Sequence, residues 1–245
     1  MERLILLKQD LHNMLINPMW VFYSTLFPFL LVVVMGYLSR DLFGEEVSSY
    51  AYYFVTFLVY CAANSATIAA NSFMEEKLRA GNMRILYAPL HPHLLYRSKI
   101  AASWLFSSLL HLLTAFVCVL VFSLQVKHTA VLIGMLLALE LFSCIFGVLM
   151  CLLFHSEHLA NQVITIILPI CGVLGGVFFS LDRFGSFASI LSRLSFMKWV
   201  ITASFQALYD DVITSGLWTI ALLTGLSAVL LLVCKRLFKE EDCIL

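Results

Sequence analysis

Charge is what this chain has least of. Of its 245 residues only 12% are Asp, Glu, Lys or Arg, while 62% are hydrophobic. A water-soluble domain of that size could not hide so much apolar surface, so the solvent implied is lipid. The 15 basic and 15 acidic residues cancel, and a balanced chain argues against a nucleic-acid partner, which would require a basic patch or stripe. No stretch is polar enough for a separate soluble domain, so residues 1–245 read as one membrane domain. Catalytic signatures are also missing. There is no GxxxxGK[ST] phosphate loop, no GxSxG elbow and no HExxH zinc pair. His155, Glu157 and His158 lack the helical ligand spacing of a zinc motif, so no metal site is expected. The seven cysteines give no disulfide framework: six lie in or beside apolar runs and read as small buried hydrophobes. Cys243 is third from the end, where a prenylation box needs it fourth. Glu2, Arg3, Lys8 and Asp10 precede any apolar run, which does not fit a cleavable signal peptide, so the first span is expected to be retained. No internal repeat is present to suggest an inverted-repeat transporter.

What is present is apolar sequence in lengths that cross a bilayer. Residues 1–17 place Leu4, Leu7, Leu11 and Leu15 at spacings of three and four, with Arg3, Lys8, Gln9, Asp10 and Asn13 on other faces. That pattern predicts an amphipathic helix in the membrane interface. Pro18 marks a break, and six apolar runs follow at about 19–38, 50–73, 100–124, 129–154, 159–181 and 214–234. Each approaches or exceeds the ~20 residues a helix needs to span the hydrocarbon core. Helices are the expected form because backbone groups in lipid must be satisfied within the segment, and Pro28 and Pro169 are positions where a span can kink. With both termini cytoplasmic, ten of the 15 Lys and Arg fall inside and five outside, which favours that orientation. Residues 182–208 are too polar to span and too apolar for a solvated loop; one or two short helices dipping into the outer leaflet are expected there.

Polar residues inside the runs are the candidate functional positions. Glu140 lies near the middle of span four, where an ionisable group is expensive and marks a pathway or a paired site. His111, near the middle of span three, is its candidate partner. Asn64, Thr67 and Asn71 share one face of span two, which either lines a polar route or joins helices by hydrogen bonds. Gly172, Gly175 and Gly176 in span five permit close packing or a hinge. Met19, Trp20, Phe22 and Tyr23 suit an interfacial aromatic anchor. Between spans two and three lies a charged island, Glu75 to Lys99, holding five of the 15 basic residues. It is too long and patterned for a simple turn, and its basic content places it on the cytoplasmic side.

The island carries the most specific local pattern: Glu75 and Glu76, then Gly81, Ile85 and Leu86, Pro89, and Lys99 opening the next span. With the N-terminal helix, six spans and a short outer hairpin, it resembles the permease subunit of a type-2 ATP-binding-cassette (ABC) exporter over nearly the whole chain. The departures are Ala80 nearer the usual glycine position, Asn82 for a common threonine, Ser98 for a frequent glycine, and Phe196 and Met197 where a hairpin proline is often found. The resemblance implies an all-α membrane fold with an interfacial helix (1–17), a cytoplasmic coupling segment (75–98) and an outer re-entrant hairpin (182–208). It implies two cytosolic ATPase subunits, a second permease copy or paralogue, and membrane lipid as partners. The segment after span two would be the coupling helix, with Arg79, Arg84, Leu86 and Tyr87 as contacts and Pro89 as its stop. No cofactor is expected in this chain, since ATP and Mg would sit on the partner ATPase. The implied activity is export of a drug, antimicrobial peptide or lipid-like molecule across a bacterial cell membrane. Two other readings fit the residues: an intramembrane enzyme using Glu140 and a histidine, and an ATP-independent immunity or scaffold protein.

Overall fold

A computed structural model describes residues 2–43, 47–74, 93–179, 181 and 185–238. Among these, all regular structure is helical, and six helices are long and apolar enough to cross a membrane. Helix α1 runs Glu2–Ile16. Span one is split into α2, Pro18–Ser24, and α3, Leu26–Leu38. A 3₁₀ turn, Arg40–Leu42, leads to span two, α4, Ser49–Met74. Spans three, four and five are α5, His93–Phe122, α6, Thr129–Phe154, and α7, Glu157–Gly175. Two short helices, α8 (Ser186–Ser192) and α9 (Phe196–Tyr209), precede span six, α10, Thr214–Leu237.

Local chemistry sets the breaks. Asn17 caps α2 by accepting from the Met19 amide at 3.1 Å, and Pro18 fills the first helical position, where no amide is needed. Span one breaks at Thr25, three residues before Pro28. A helical proline clashes with the carbonyl four residues earlier, here that of Ser24. The hydroxyl of Thr114 on α5, which donates to its own Leu110 carbonyl at 2.9 Å, stands 3.4 Å from the Ser24 and Thr25 carbonyls. Pro169 leaves α7 continuous. Span five is shorter than the apolar run that suggests it, because Gly176 takes a left-handed conformation (φ 79°). The Val177 amide returns to the Gly172 carbonyl at 3.0 Å and the Gly176 amide to Val173 at 3.1 Å, closing the helix end.

The centre of the bundle is the pair α4 and α6. Of their most apolar windows 72% and 67% are buried, against 17% for α10. Small residues make the pairing possible. Ala62, Ala63, Ala66, Ala69 and Ala70 are fully buried on α4, opposite Cys144, Gly147 and Cys151 of α6. A Cβ on Gly147 would run into the Ala66 carbonyl, so only glycine allows this approach. The thiol of Cys144 reaches the Ser65 hydroxyl at 3.6 Å, and that of Cys151 the Ala70 carbonyl at 3.6 Å. The remaining spans wrap this pair. Helix α9 buries Met197, Val200, Ala203 and Ala207 and packs against α4, α7 and α10.

Helix α1 differs from its expected face. Its buried residues are Leu6, Asp10 and Met14, and Met14 packs with Leu7 and Leu11 on Ala102, Phe106 and Leu110 of α5. Leu4, Ile5, Leu15 and Ile16 point outward. Asp10, assigned from periodicity to a polar face, is therefore buried.

Candidate functional site

Polar groups join neighbouring spans at three levels. The first ties α1 to the beginning of α5. Lys99 Nζ donates to Asp10 Oδ1 at 2.6 Å, and the Ser98 hydroxyl donates to Oδ2 at 2.7 Å. The two charged side chains are only 4% and 8% exposed. Both carboxylate oxygens are thus satisfied by donors from one helix, which is the arrangement a buried charge needs. Lys99 stands two turns into α5, close behind the connection from α4. Every position of the expected coupling contact, Glu75, Glu76, Arg79, Gly81, Arg84, Leu86, Tyr87 and Pro89, lies outside the described residues. Helix α5 itself begins at His93, inside the 75–98 segment.

The second level joins α5 to α6 in mid-span. His111 Nδ1 and Glu140 Oε1 are 2.6 Å apart, and the Ser108 hydroxyl donates to Glu140 Oε2. Trp104, one turn before Ser108, donates its indole N–H to the Leu137 carbonyl at 3.0 Å. Residues 104, 108 and 111 follow the helical repeat, so one face of α5 meets one turn of α6. His111 and Glu140 are 1% and 0% exposed. In this arrangement neither side chain reaches the surface of the chain, and both groups serve as an interhelical link.

The third level involves the polar stripe of α4. Asn71 Oδ1 accepts from Asn161 Nδ2 of α7 at 2.5 Å, joining spans two and five. Asn64 instead donates to its own helix, at the Tyr60 carbonyl, 2.8 Å away. Thr67 is half-buried between them. The stripe thus divides: one end is a helix–helix bond, and the rest is partly open.

The glycines of span five lie near its closing turn. Gly172 faces the Tyr60 ring, and a Cβ on Gly175 would press Met197 Cβ at 2.9 Å. The turn is tied down by Tyr52, whose hydroxyl donates to the Gly176 carbonyl at 2.6 Å, and by Tyr53, which donates to Phe178 at 3.1 Å. Ser195 donates to the Cys171 carbonyl at 2.7 Å. Gly172 and Gly175 accept close neighbours and Gly176 ends the helix. Outside the spans, Asp211 receives Lys127 at 3.3 Å and His128 at 3.2 Å. The Lys127 hydrogen bond, then that of His128, holds the Asp211 carboxyl below its usual range. Sequence reasoning missed the Asp10–Lys99 pair and the Gly147–Ala66 contact. The first had a signal: an aspartate amid Leu6, Leu7, Leu11 and Met14, on the inward face of α1.

This six-span bundle, with its N-terminal helix clipped to span three, is the architecture of a multi-pass membrane protein. The family model described as ABC-2 type transporter matches residues 2–209, and the chain belongs to that family. No curated protein gives a significant match. The protein is accordingly a multi-pass membrane subunit of an ABC transporter, a family whose permeases work with an ATP-binding subunit.

Proposed function

We propose that the chain is the permease subunit of an ATP-driven exporter, in a bacterial cell membrane with both termini cytoplasmic. Two cytosolic ATPases and a second permease copy or paralogue complete the transporter. The observation that carries the reading, beyond family membership, is the buried Asp10–Lys99–Ser98 link. It fastens α1 to the first turns of α5, the span entered directly from residues 75–92. A displacement of that segment would move α1 and α5 as one body, because opening the link exposes an unpaired charge in an apolar setting. ATP-driven closure of the ATPases would supply the displacement and bias the bundle between two packings. Glu75, Glu76, Arg79, Gly81, Arg84, Leu86, Tyr87 and Pro89 form the ATPase contact in this proposal. The cargo is amphipathic or lipophilic, moving along the interface between two permeases, with Asn64 and Thr67 on the partly open side of α4.

The enzyme reading is less well supported. Glu140 and His111 are sealed between α5 and α6, leaving no approach for a substrate. Co-purification of the chain with ATPases from its own genome tests the exporter reading, wild type beside the double Arg79→Glu, Arg84→Glu variant. An ATPase held by wild type and lost by a folded variant supports it. Absence of any ATPase partner with well-folded wild-type permease overturns it.

A further inference from the structure

A cavity of about 410 Å³ lies between α4, α5, α6 and α9 and reaches the 123–128 turn. Its walls run from Leu112 to Val119 on α5 and from Thr129 to Leu136 on α6. Seven residue-to-residue rises of about 1.5 Å in each case make it about 10 Å deep. One leaflet's share of a ~30 Å hydrocarbon core is about 15 Å, so the cavity occupies most of one leaflet's depth. Among the described residues, Thr129 and Ser204 supply the only hydroxyls in the lining. Filling this volume with water at about 30 Å³ per molecule takes more than a dozen, each needing two to four polar partners that the walls do not offer. Left empty, the walls forfeit dispersion contacts over their whole area. Phe116 and Ile133 in its lining are exposed on α5 and α6, so the cavity opens on the outer surface of the membrane-spanning bundle.

We propose that this cavity is a binding site for one acyl chain of a membrane phospholipid. Hydrocarbon is the material the opening faces, it needs no hydrogen-bond partners, and it restores the contacts a void would lose. The headgroup would remain at the end of the bundle near Leu124 and Val126, level with the α5–α6 turn. The inference needs only the membrane placement of the spans and is independent of the exporter reading.

The test uses the full chain in nanodiscs containing phosphatidylcholine with a diazirine midway along one acyl chain, followed by photolysis and mapping of adducts. Val55, Met135 and Leu136 line the cavity but are at most 6% exposed, so bulk lipid around the bundle cannot reach them. Adducts on these residues are expected, as is their loss in Ala115→Trp, which fills the cavity, while adducts on lipid-facing Leu109 persist. Adducts confined to outward residues such as Leu109 and Leu120 in the wild type would overturn the proposal, whatever the variant's folding. Labelling of Val55, Met135 and Leu136 by free diazirine-palmitate but not by the phospholipid would also overturn it, in favour of a fatty acid.

Discussion

Removing the amine of Lys99 provides a sharp test of the link between α1 and α5. In Lys99→Met the Asp10 carboxylate keeps the Ser98 hydroxyl but loses its cation, in a site where only 8% of its side chain is exposed. Breaking a buried ion pair from one side costs about 3–5 kcal/mol, because the remaining charge is desolvated and unpaired. Asp10→Leu strands the Lys99 ammonium and should cost a similar amount. The double variant Asp10→Leu, Lys99→Met leaves no charge behind and should recover most of the loss, since apolar replacement of a buried pair is often neutral or stabilising. The expected interaction energy in the double-mutant cycle is therefore favourable and at least about 3 kcal/mol. Unfolding free energies from steric trapping in bicelles supply all four corners of the cycle. Single variants that lose under about 1 kcal/mol, in the range of solvated surface pairs, would refute the reasoning. So would a double variant whose loss equals the sum of the singles.

The mid-span link predicts a graded series. Glu140→Gln keeps a hydrogen-bonding group opposite Ser108 and His111 and should cost about 1 kcal/mol, whereas Glu140→Ala leaves a buried imidazole unpaired beside a void and should cost about 3 kcal/mol; the same unfolding assay reads both. Gly147→Ala should destabilise by about 1–3 kcal/mol through overpacking against the Ala66 backbone, and Gly147→Leu should abolish the monodisperse folded peak in size-exclusion chromatography. Gly176→Ala should cost roughly 1–2 kcal/mol, because a side chain is strained in the left-handed region. Asp211 is held below its usual carboxylate range, so the favourable contribution is complete above the unfolded value and fades only as pH falls through the lower folded value. Thermal stability of wild type minus Asp211→Asn should therefore stay positive from pH 5 to 8 and vanish only in strong acid.

The six spans were legible because long apolar runs have few alternatives in lipid. Their ends were less so. Span five ran six residues too far from sequence alone, since Phe178 and Phe179 continue the apolar pattern beyond the turn at Gly176, which Tyr52 and Tyr53 tie down from 124 or more positions away in sequence. Span one breaks upstream of Pro28, where the ring meets a carbonyl, rather than at the proline itself. Glu140 and His111 were conspicuous as ionisable residues in apolar surroundings, and the structure brings them together. Asp10 and Lys99 were hidden because each had a plausible solvated role, as a polar face of an interfacial helix and as part of a basic island. Gly147 was hidden because small residues announce themselves only once their neighbour is known. The 75–92 positions follow from resemblance to a family pattern, not from any geometry.

Photo-crosslinking at Tyr87 tests the central claim most directly. Tyr87→p-benzoylphenylalanine in the full chain, co-expressed with the candidate ATPases and irradiated in membranes, should yield a covalent permease–ATPase adduct whose amount changes with trapped ATP. A folded permease that crosslinks only to lipid, or to no ATPase under any nucleotide condition, would contradict the account.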